Sequence, residues 1–150
     1  MTTIELPSQE WEKIRAHGAR DYPNECCGFL LGAQDDGRRL VRDVWPAPNL
    51  HEETADENRR RRYTITPADM LAGQTYADEK GLDIVGVYHS HPDHPARPSQ
   101  YDLDHAVWPW WSYIIVGVEK GTPALLTSWA LAEDRSKFEE ETVEICQPKS

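Results

Sequence analysis

The stretch Ile84-Val85-Gly86-Val87-Tyr88-His89-Ser90-His91-Pro92 decides the fold class and the place of the candidate site. Its first five residues form a short apolar run, which predicts a buried β-strand. Because side chains alternate between the two faces of a strand, His89 and His91 point in the same direction. Two imidazoles on one face can bind one metal ion, so the sequence predicts a metal site where this strand ends.

Such a metal ion needs a third ligand, and the helix that follows offers a candidate. We predict a loop over His89–Pro98 and then a short helix opened by Ser99-Gln100-Tyr101-Asp102, with ten residues between His91 and Asp102. The loop contains three prolines and can fold back to bring the first helical turn beside the strand end. Two histidines and one carboxylate leave the fourth tetrahedral position open, which is typical of catalytic zinc. The sequence therefore predicts one zinc ion per chain, held by His89, His91 and Asp102.

An open zinc site needs a group that carries protons. Glu25 stands directly before the apolar run Cys26–Gly32, which predicts a second buried strand. A carboxylate beside an apolar strand, aimed at the metal, would serve as general base and then as general acid. Glu25 is therefore the candidate proton carrier.

The remaining pattern predicts an α+β domain, a mainly antiparallel sheet with helices packed against it, spanning residues 1–150 as one domain. Asp36-Gly37 predicts a hairpin turn, and Thr66 with Asp69 predicts a capping box for a helix that ends at Gly81. The other predicted elements are a helix over Pro7–Arg20, strands over Leu40–Trp45, Trp111–Val118, Ala124–Ala132 and Phe138–Ile145, and an irregular polar loop over Pro46–Arg62.

Composition and charge restrict the partners. The 150 residues include 16 Lys+Arg and 26 Asp+Glu, a formal net charge of −10, which argues against general nucleic-acid binding and against docking on anionic lipid. The apolar runs are short, as in Tyr113–Val118 with six residues, whereas a membrane span needs about 20. The first residues lack the basic and apolar regions of a signal peptide, and three cysteines form no disulfide framework. We therefore expect a cytoplasmic protein with reduced thiols.

Three motifs together resemble the JAMM (MPN+) metalloproteases. They are Asn24-Glu25-Cys26-Cys27-Gly28-Phe29-Leu30-Leu31-Gly32, then Val87-Tyr88-His89-Ser90-His91-Pro92, then Pro98-Ser99-Gln100-Tyr101-Asp102. The family pattern is a distant Glu, then H-[ST]-H-P, then S-x-x-D, and this sequence matches each part and the spacing. The resemblance covers nearly the whole chain and implies an MPN domain with a curved, cytidine-deaminase-like sheet. It also implies that His89, His91 and Asp102 bind zinc, that Glu25 is the general acid and base, and that Ser99 stabilises the oxyanion.

The resemblance also implies a substrate class. Members of the family hydrolyse peptide or isopeptide bonds at the C-terminal glycine of ubiquitin-like proteins. Some small bacterial members release cysteine from a sulfur-carrier protein with a Gly-Gly tail, in cysteine biosynthesis, and this is the preferred interpretation. The alternatives are a deconjugating isopeptidase, a carrier-maturation protease, and a non-catalytic interaction module on the same fold. The identity of the carrier, the leaving group and the oligomeric state are open at this stage.

Several candidate residues also have a simpler, structural interpretation. Ser99 and Asp102 together form a plain capping box, and a lone Glu before a strand is usually exposed to solvent. Cys26 and Cys27 are expected to be packed thiols rather than ligands. His94 is expected to be exposed to solvent, and His105 is a candidate to contact Asp102 outside the ligand set, whereas His17 and His51 have no predicted partner. The run Arg59–Arg62 is expected on a solvated face. The indole rings expected in the core and at its rim are Trp108, Trp110 and Trp111.

Overall fold

The computed structural model describes residues 2–48, 65–106 and 108–147. In these ranges seven strands and three helices alternate along the chain. Their order is β1 Thr3–Pro7, α1 Ser8–Asp21, β2 Cys27–Asp35, β3 Arg38–Ala47, α2 Pro67–Lys80, β4 Asp83–Pro92, α3 Gln100–His105, β5 Ser112–Glu119, β6 Thr122–Leu131 and β7 Phe138–Cys146. No helix among the described residues has both the length and the apolar composition to cross a membrane.

All seven strands belong to one closed sheet, in the order β1-β3-β2-β4-β5-β6-β7, with β1 also paired to β7. Four of the seven pairings are antiparallel: β2–β3, β2–β4, β5–β6 and β6–β7. The other three, β1–β3, β1–β7 and β4–β5, are parallel. The predicted α+β class, with a sheet and packed helices, is confirmed. The finer likeness to cytidine deaminase stays a prediction.

The structure contains an N-terminal strand that the sequence does not predict, since the first element predicted from the sequence is a helix that begins at Pro7. In the structure Pro7 ends β1 and occupies the N-cap position of α1, which runs from Ser8 to Asp21, without a capping side-chain hydrogen bond. In β1 only Ile4 and Leu6 are buried, so the alternation is too short to separate it from the start of a helix. This strand exists because it pairs with β3 and β7, which are distant in sequence.

The turn and helix-capping motifs that the sequence predicts are present in the structure. Asp36 and Gly37 join β2 to β3 with positive φ angles of 46° and 80°, as a tight hairpin turn requires. At the start of α2 the Thr66 hydroxyl accepts a hydrogen bond from the Asp69 N–H, and the Asp69 carboxylate accepts one from the Thr66 N–H. Gly81 ends α2 with a φ of 70°.

Two apolar clusters cover different faces of the central strand β4. Tyr88 belongs to the cluster that includes Ile14 of α1, whereas Val87 belongs to the cluster that includes Ala77 of α2. Since side chains alternate along a strand, His89 and His91 continue the face of Val87. The helices therefore fix the strand from both sides and leave its carboxyl end for polar residues.

Candidate metal and catalytic site

Both histidines of the motif lie within β4, whereas the sequence predicted that a loop begins at His89. The strand extends through Pro92, because it pairs with β2 on one side and β5 on the other, with His89 opposite Cys27 and His91 opposite Gly117. Both imidazoles are 1% exposed, and their Nε2 atoms lie 3.1 Å apart. The sheet therefore holds the two rings in a fixed, converging arrangement.

Asp102 reaches the same point from α3. Its Oδ2 atom lies 3.1 Å from Nε2 of His91 and 3.3 Å from Nε2 of His89. The same oxygen accepts a hydrogen bond of 2.9 Å from the Ser99 N–H, and the Ser99 hydroxyl accepts one of 3.0 Å from the Asp102 N–H. The capping box is therefore present, and it aims the carboxylate at the histidines. The cap and the ligand interpretations of Asp102 are compatible.

The proton positions at this cluster favour a cation at its centre. Nδ1 of His91 lies 2.8 Å from the Pro95 carbonyl oxygen, which can only accept, so Nδ1 carries the proton in the neutral ring. Nε2 then presents its lone pair to Asp102. Burial alone would raise the pKa of Asp102, but positive charge on its histidine side and the hydrogen bond from the Ser99 N–H lower it, so the carboxylate is ionised. Lone pairs and a carboxylate converging at 3.1–3.3 Å need a proton or a metal ion between them.

The spacing of the three donor atoms suits zinc. In a tetrahedral zinc site with bonds of about 2.0–2.1 Å to nitrogen and oxygen, two donor atoms lie about 3.3 Å apart. The three distances here, 3.1, 3.1 and 3.3 Å, are close to that value. His89, His91 and Asp102 also form the group with metal-ligand geometry among the described residues. The residues present therefore fit the ion that the sequence predicts.

Glu25 is buried and close enough to this cluster for the charge of Asp102 to act on it. It is 1% exposed, so the solvent-facing interpretation is wrong. Its backbone position is fixed by the next residue, because the Cys26 N–H donates to the Ser90 hydroxyl (2.8 Å) and the Ser90 N–H donates to the Cys26 carbonyl (3.1 Å). Burial, and secondly the charge of Asp102, raise the pKa of Glu25 well above its usual value. A carboxyl group with a raised pKa holds a proton more readily than an exposed one and can act as both general base and general acid.

Comparison with known proteins decides the family. A sequence profile described as prokaryotic homologs of the JAB domain matches residues 7–132. The chain belongs to this prokaryotic JAB family. The resemblance to JAMM metalloproteases that the three motifs indicated is therefore confirmed.

Curated members of the JAB family with similar sequences include proteases of named specificity. The chain is 34% identical over 114 residues to a probable TtuB-protein conjugate cleaving protease of Thermus thermophilus, covering 76% of this chain and 70% of that protein. It is 35% identical over 116 residues to a desampylase of Haloferax volcanii, covering 75% and 78%. A CysO-cysteine peptidase of Mycobacterium tuberculosis is 28% identical over 102 residues, covering 67% and 64%.

Solved structures share the fold over nearly the full length. A protein from Salinibacter ruber is 48% identical, with a TM-score of 0.73, and covers 100% of this chain and 94% of its own. A protein from Desulfitobacterium hafniense is 30% identical, with a TM-score of 0.83, and covers 97% and 94%. A JAB1/MPN domain protein from Archaeoglobus fulgidus, 16% identical with a TM-score of 0.53, covers 96% and 99% and shares the fold. The MPN fold that the sequence implied is therefore confirmed.

The other histidines of this JAB-family chain make contacts that the sequence did not predict. His94 is exposed, as expected, but its ring stacks on His91 with centroids 4.2 Å apart, a contact that sequence spacing does not indicate. His105 stacks on Tyr101 at 3.9 Å and its Nδ1 bonds the Tyr101 carbonyl, so it does not make the contact with Asp102 that we expected. His17, which had no predicted partner, lies 2.8 Å from the Tyr88 hydroxyl.

The thiols follow the structural interpretation, and the tryptophans do so only in part. Cys26 and Cys27 are free and buried, and burial raises the pKa of Cys26 to about 12. Trp111 packs on the apolar cluster that includes Val87 and Ala77, whereas Trp108 and Trp110 are exposed. The predicted loop over Pro46–Arg62 begins later than expected, because Pro46 and Ala47 belong to β3. His51, the run Arg59–Arg62 and most of that loop lie outside the described residues.

Proposed function

We propose that this JAB-family chain is a single-domain, zinc-dependent hydrolase. It would cleave the amide bond that follows the C-terminal Gly-Gly of a ubiquitin-like or sulfur-carrier protein. The observation that carries the proposal is the convergence of His89, His91 and Asp102 within 3.1–3.3 Å beside the buried carboxyl group of Glu25. A non-catalytic module would have no need of a buried ligand set with an adjacent acid.

The metal and the protein residues have separate tasks in this proposal. When bound by His89, His91 and Asp102, zinc supplies the positive charge that polarises the scissile carbonyl and makes water more acidic. Glu25 takes one proton from the attacking water and later gives it to the leaving amine. The water oxygen ends in the new glycine carboxylate, and the released fragment ends as the free amine.

Ser99 is the proposed donor to the oxyanion. Its hydroxyl oxygen already accepts a hydrogen bond from the Asp102 N–H, and a serine hydroxyl carries one further proton to donate. The side chain is exposed at the edge of the ligand cluster, so that proton can reach a substrate oxygen. A donor fixed in advance at the place where negative charge develops stabilises the transition state.

The named relatives support carriers of the ubiquitin type as substrates. Two of them act, by name, on TtuB–protein conjugates and on sampylated proteins, and these are 34–35% identical to this chain. A peptidase that acts on CysO-cysteine is 28% identical. Release of a carrier from protein conjugates is therefore a candidate beside the release of cysteine that the motifs favoured.

The tail of such a carrier would bind in extended form. β3 pairs with β1 over Arg38–Leu40, and within the part of the chain that the structure describes the rest of β3 is paired with β2 alone. Main-chain hydrogen bonds to that strand edge would hold a tail without side chains, and two glycines pass through a narrow slot. The predicted flap over the tail, the loop over Pro46–Arg62, lies mostly outside the described residues and stays a prediction. The cytoplasm stays the proposed compartment, since the cysteines are free thiols.

The test offers two substrates to the zinc-loaded protein. One is a Gly-Gly carrier with cysteine in amide linkage, and the other is the same carrier linked to a lysine side chain, with products identified by mass spectrometry. Glu25→Gln should retain zinc and reduce hydrolysis by about 10²–10⁴-fold. Glu133→Gln is the matched control, because Glu133 is exposed, and it should keep full activity. Zinc-loaded protein that cleaves neither substrate would refute the proposal.

A further inference from the structure

A cavity of about 310 Å³ opens beside Ser99 and differs in charge from the rest of the molecule. Its lining includes the cations Arg97 and Lys137 and the aromatic rings of Trp129 and Phe138, and none of its lining residues is acidic. We call it the cationic pocket. The chain has a formal net charge of −10, whereas the side chains that line this pocket carry a net positive charge.

The positive charge of this pocket is available to a ligand. Arg97 is exposed and forms no ion pair with any side chain in ranges 2–48, 65–106 and 108–147. Lys137 is 3.6 Å from Glu139, but both side chains are about two-thirds exposed, so the pair is weak. A guanidinium group presents a planar fork of donors that matches a carboxylate.

The acidic residues nearby line a different cavity. This neighbouring cavity, of about 410 Å³, shares Arg97 and Trp129 with the cationic pocket and also includes Asp93, Glu119 and Glu140. Arg97 and Trp129 therefore form the boundary between a space with acidic lining and one without. An anionic group is expected to prefer the side of Ser99 and Lys137.

Hydrogen bonds hold the wall of the cationic pocket in place. The Trp129 indole N–H donates to the Thr127 hydroxyl (2.8 Å), which donates to the Ala96 carbonyl (2.7 Å). The backbone next to Arg97 is thus tied to β6, and the Arg97 N–H donates to the Pro95 carbonyl (2.8 Å). A binding site whose walls are fixed before the ligand arrives loses less entropy on binding.

The pocket touches the proposed reaction centre through Ser99. This residue lines the cationic pocket, and its N–H donates to Asp102 in the ligand cluster. We propose that the cationic pocket binds a carboxylate on the fragment that leaves as the amine, with Arg97 as the specificity-determining residue. This inference rests on the proposed hydrolase function. The size-matched source is the α-carboxylate of a single amino acid attached to the carrier, since a space of about 310 Å³ suits a small fragment.

The first experiment compares substrates that differ only in this carboxylate. A carrier tail ending in Gly-Gly is joined to alanine with a free carboxylate or to alaninamide, and kcat/KM is measured for both. The wild type should prefer the free acid by about tenfold or more, as a charge-assisted hydrogen bond implies. Arg97→Gln should remove the preference, so that kcat/KM for the two substrates differs by less than about twofold. Arg42→Gln, which removes an exposed arginine outside the pocket, should keep it.

A second pair of substrates distinguishes the source of the carboxylate. The tail is joined to a lysine side chain in a peptide that carries Asp or Asn beside that lysine. A preference for Asp that depends on Arg97 would assign the pocket to acidic side chains of a protein conjugate, whereas a preference only in the alanine pair assigns it to free amino acids. Equal rates within both pairs, or preferences that survive Arg97→Gln, would overturn the inference.

A binding measurement separates this inference from the proposed function. N-acetylalanine and N-acetylalaninamide are titrated into the metal-free protein while the indole N–H signal of Trp129 is followed by NMR. The acid should shift this signal in the wild type and in the Arg42→Gln variant, and not after Arg97→Gln. Zinc-loaded protein that cleaves nothing, together with a shift that depends on Arg97, would refute the hydrolase and retain the pocket. Absence of the shift refutes the pocket.

Discussion

Two capping boxes of the same geometry allow a decisive test of Ser99. At α3 the Ser99 hydroxyl accepts the Asp102 N–H at 3.0 Å, and at α2 the Thr66 hydroxyl accepts the Asp69 N–H at 3.1 Å. Only the first box belongs to the ligand cluster. Ser99→Ala and Thr66→Ala therefore remove the same local interaction in two places, one at the proposed reaction centre and one outside it.

The expected effects on stability are similar for both variants. Loss of one N-cap hydrogen bond costs about 1 kcal/mol of unfolding free energy. For a chain of 150 residues this lowers Tm by about 2–4 °C. Zinc content should not change in Ser99→Ala, because the bond from the Ser99 N–H to the Asp102 carboxylate comes from the backbone.

The expected effects on turnover differ. If the Ser99 hydroxyl donates to the oxyanion, Ser99→Ala should lower kcat by about 10²–10³-fold, whereas Thr66→Ala should leave kcat unchanged. The assay measures Tm, zinc content and kcat on the same preparations of both variants. A kcat for Ser99→Ala within twofold of the wild type would show that the serine is a cap alone and would refute the oxyanion role.

Three further predictions concern the metal, the thiols and the response to pH. His89→Ala should abolish the tight binding of zinc, measured as metal content after dialysis, and His105→Ala should not, because His105 lies outside the ligand cluster. With its pKa raised to about 12, Cys26 should resist a thiol reagent at pH 8 until the protein is unfolded, whereas the half-buried Cys146 should react in the folded state; labelling of Cys26 at the rate of Cys146 would contradict this. Burial lowers the pKa of His17, so the unfolded chain binds its proton more readily and the free energy of unfolding should fall as the pH drops below about 6.5. His17→Gln should flatten this pH profile, as measured by denaturant unfolding, and an unchanged profile would show that His17 does not cause it.

Local interactions explain which parts of the fold were predictable. The hairpin at Asp36-Gly37, the capping box at Thr66 and the end of α2 at Gly81 each depend on residues within four positions of one another. The ligand spacing of His89 and His91 depends on strand alternation, which is equally local. Such features are encoded in short windows, and the sequence therefore determined them together with the family.

Long-range pairing decided what the sequence could not. Whether Thr3–Pro7 forms a strand depends on its register with β3 and β7, and no periodicity of five residues encodes that register. The burial of Glu25, and the rise in its pKa, follow from the pairing of β2 with β4 and from the charge of Asp102, 77 positions away.

The sequence by itself determined the family, the α+β class and the set of candidate ligands, because these depend on residue types at fixed short spacings. Only the tertiary structure decided that one oxygen of Asp102 serves both the helix cap and the ligand cluster, and that His94 stacks on His91. It alone brought Arg97 and Lys137 to one pocket from different loops of the chain. The physical reason is that burial and electrostatic fields arise from groups close in space, and closed sheet pairing sets which groups those are.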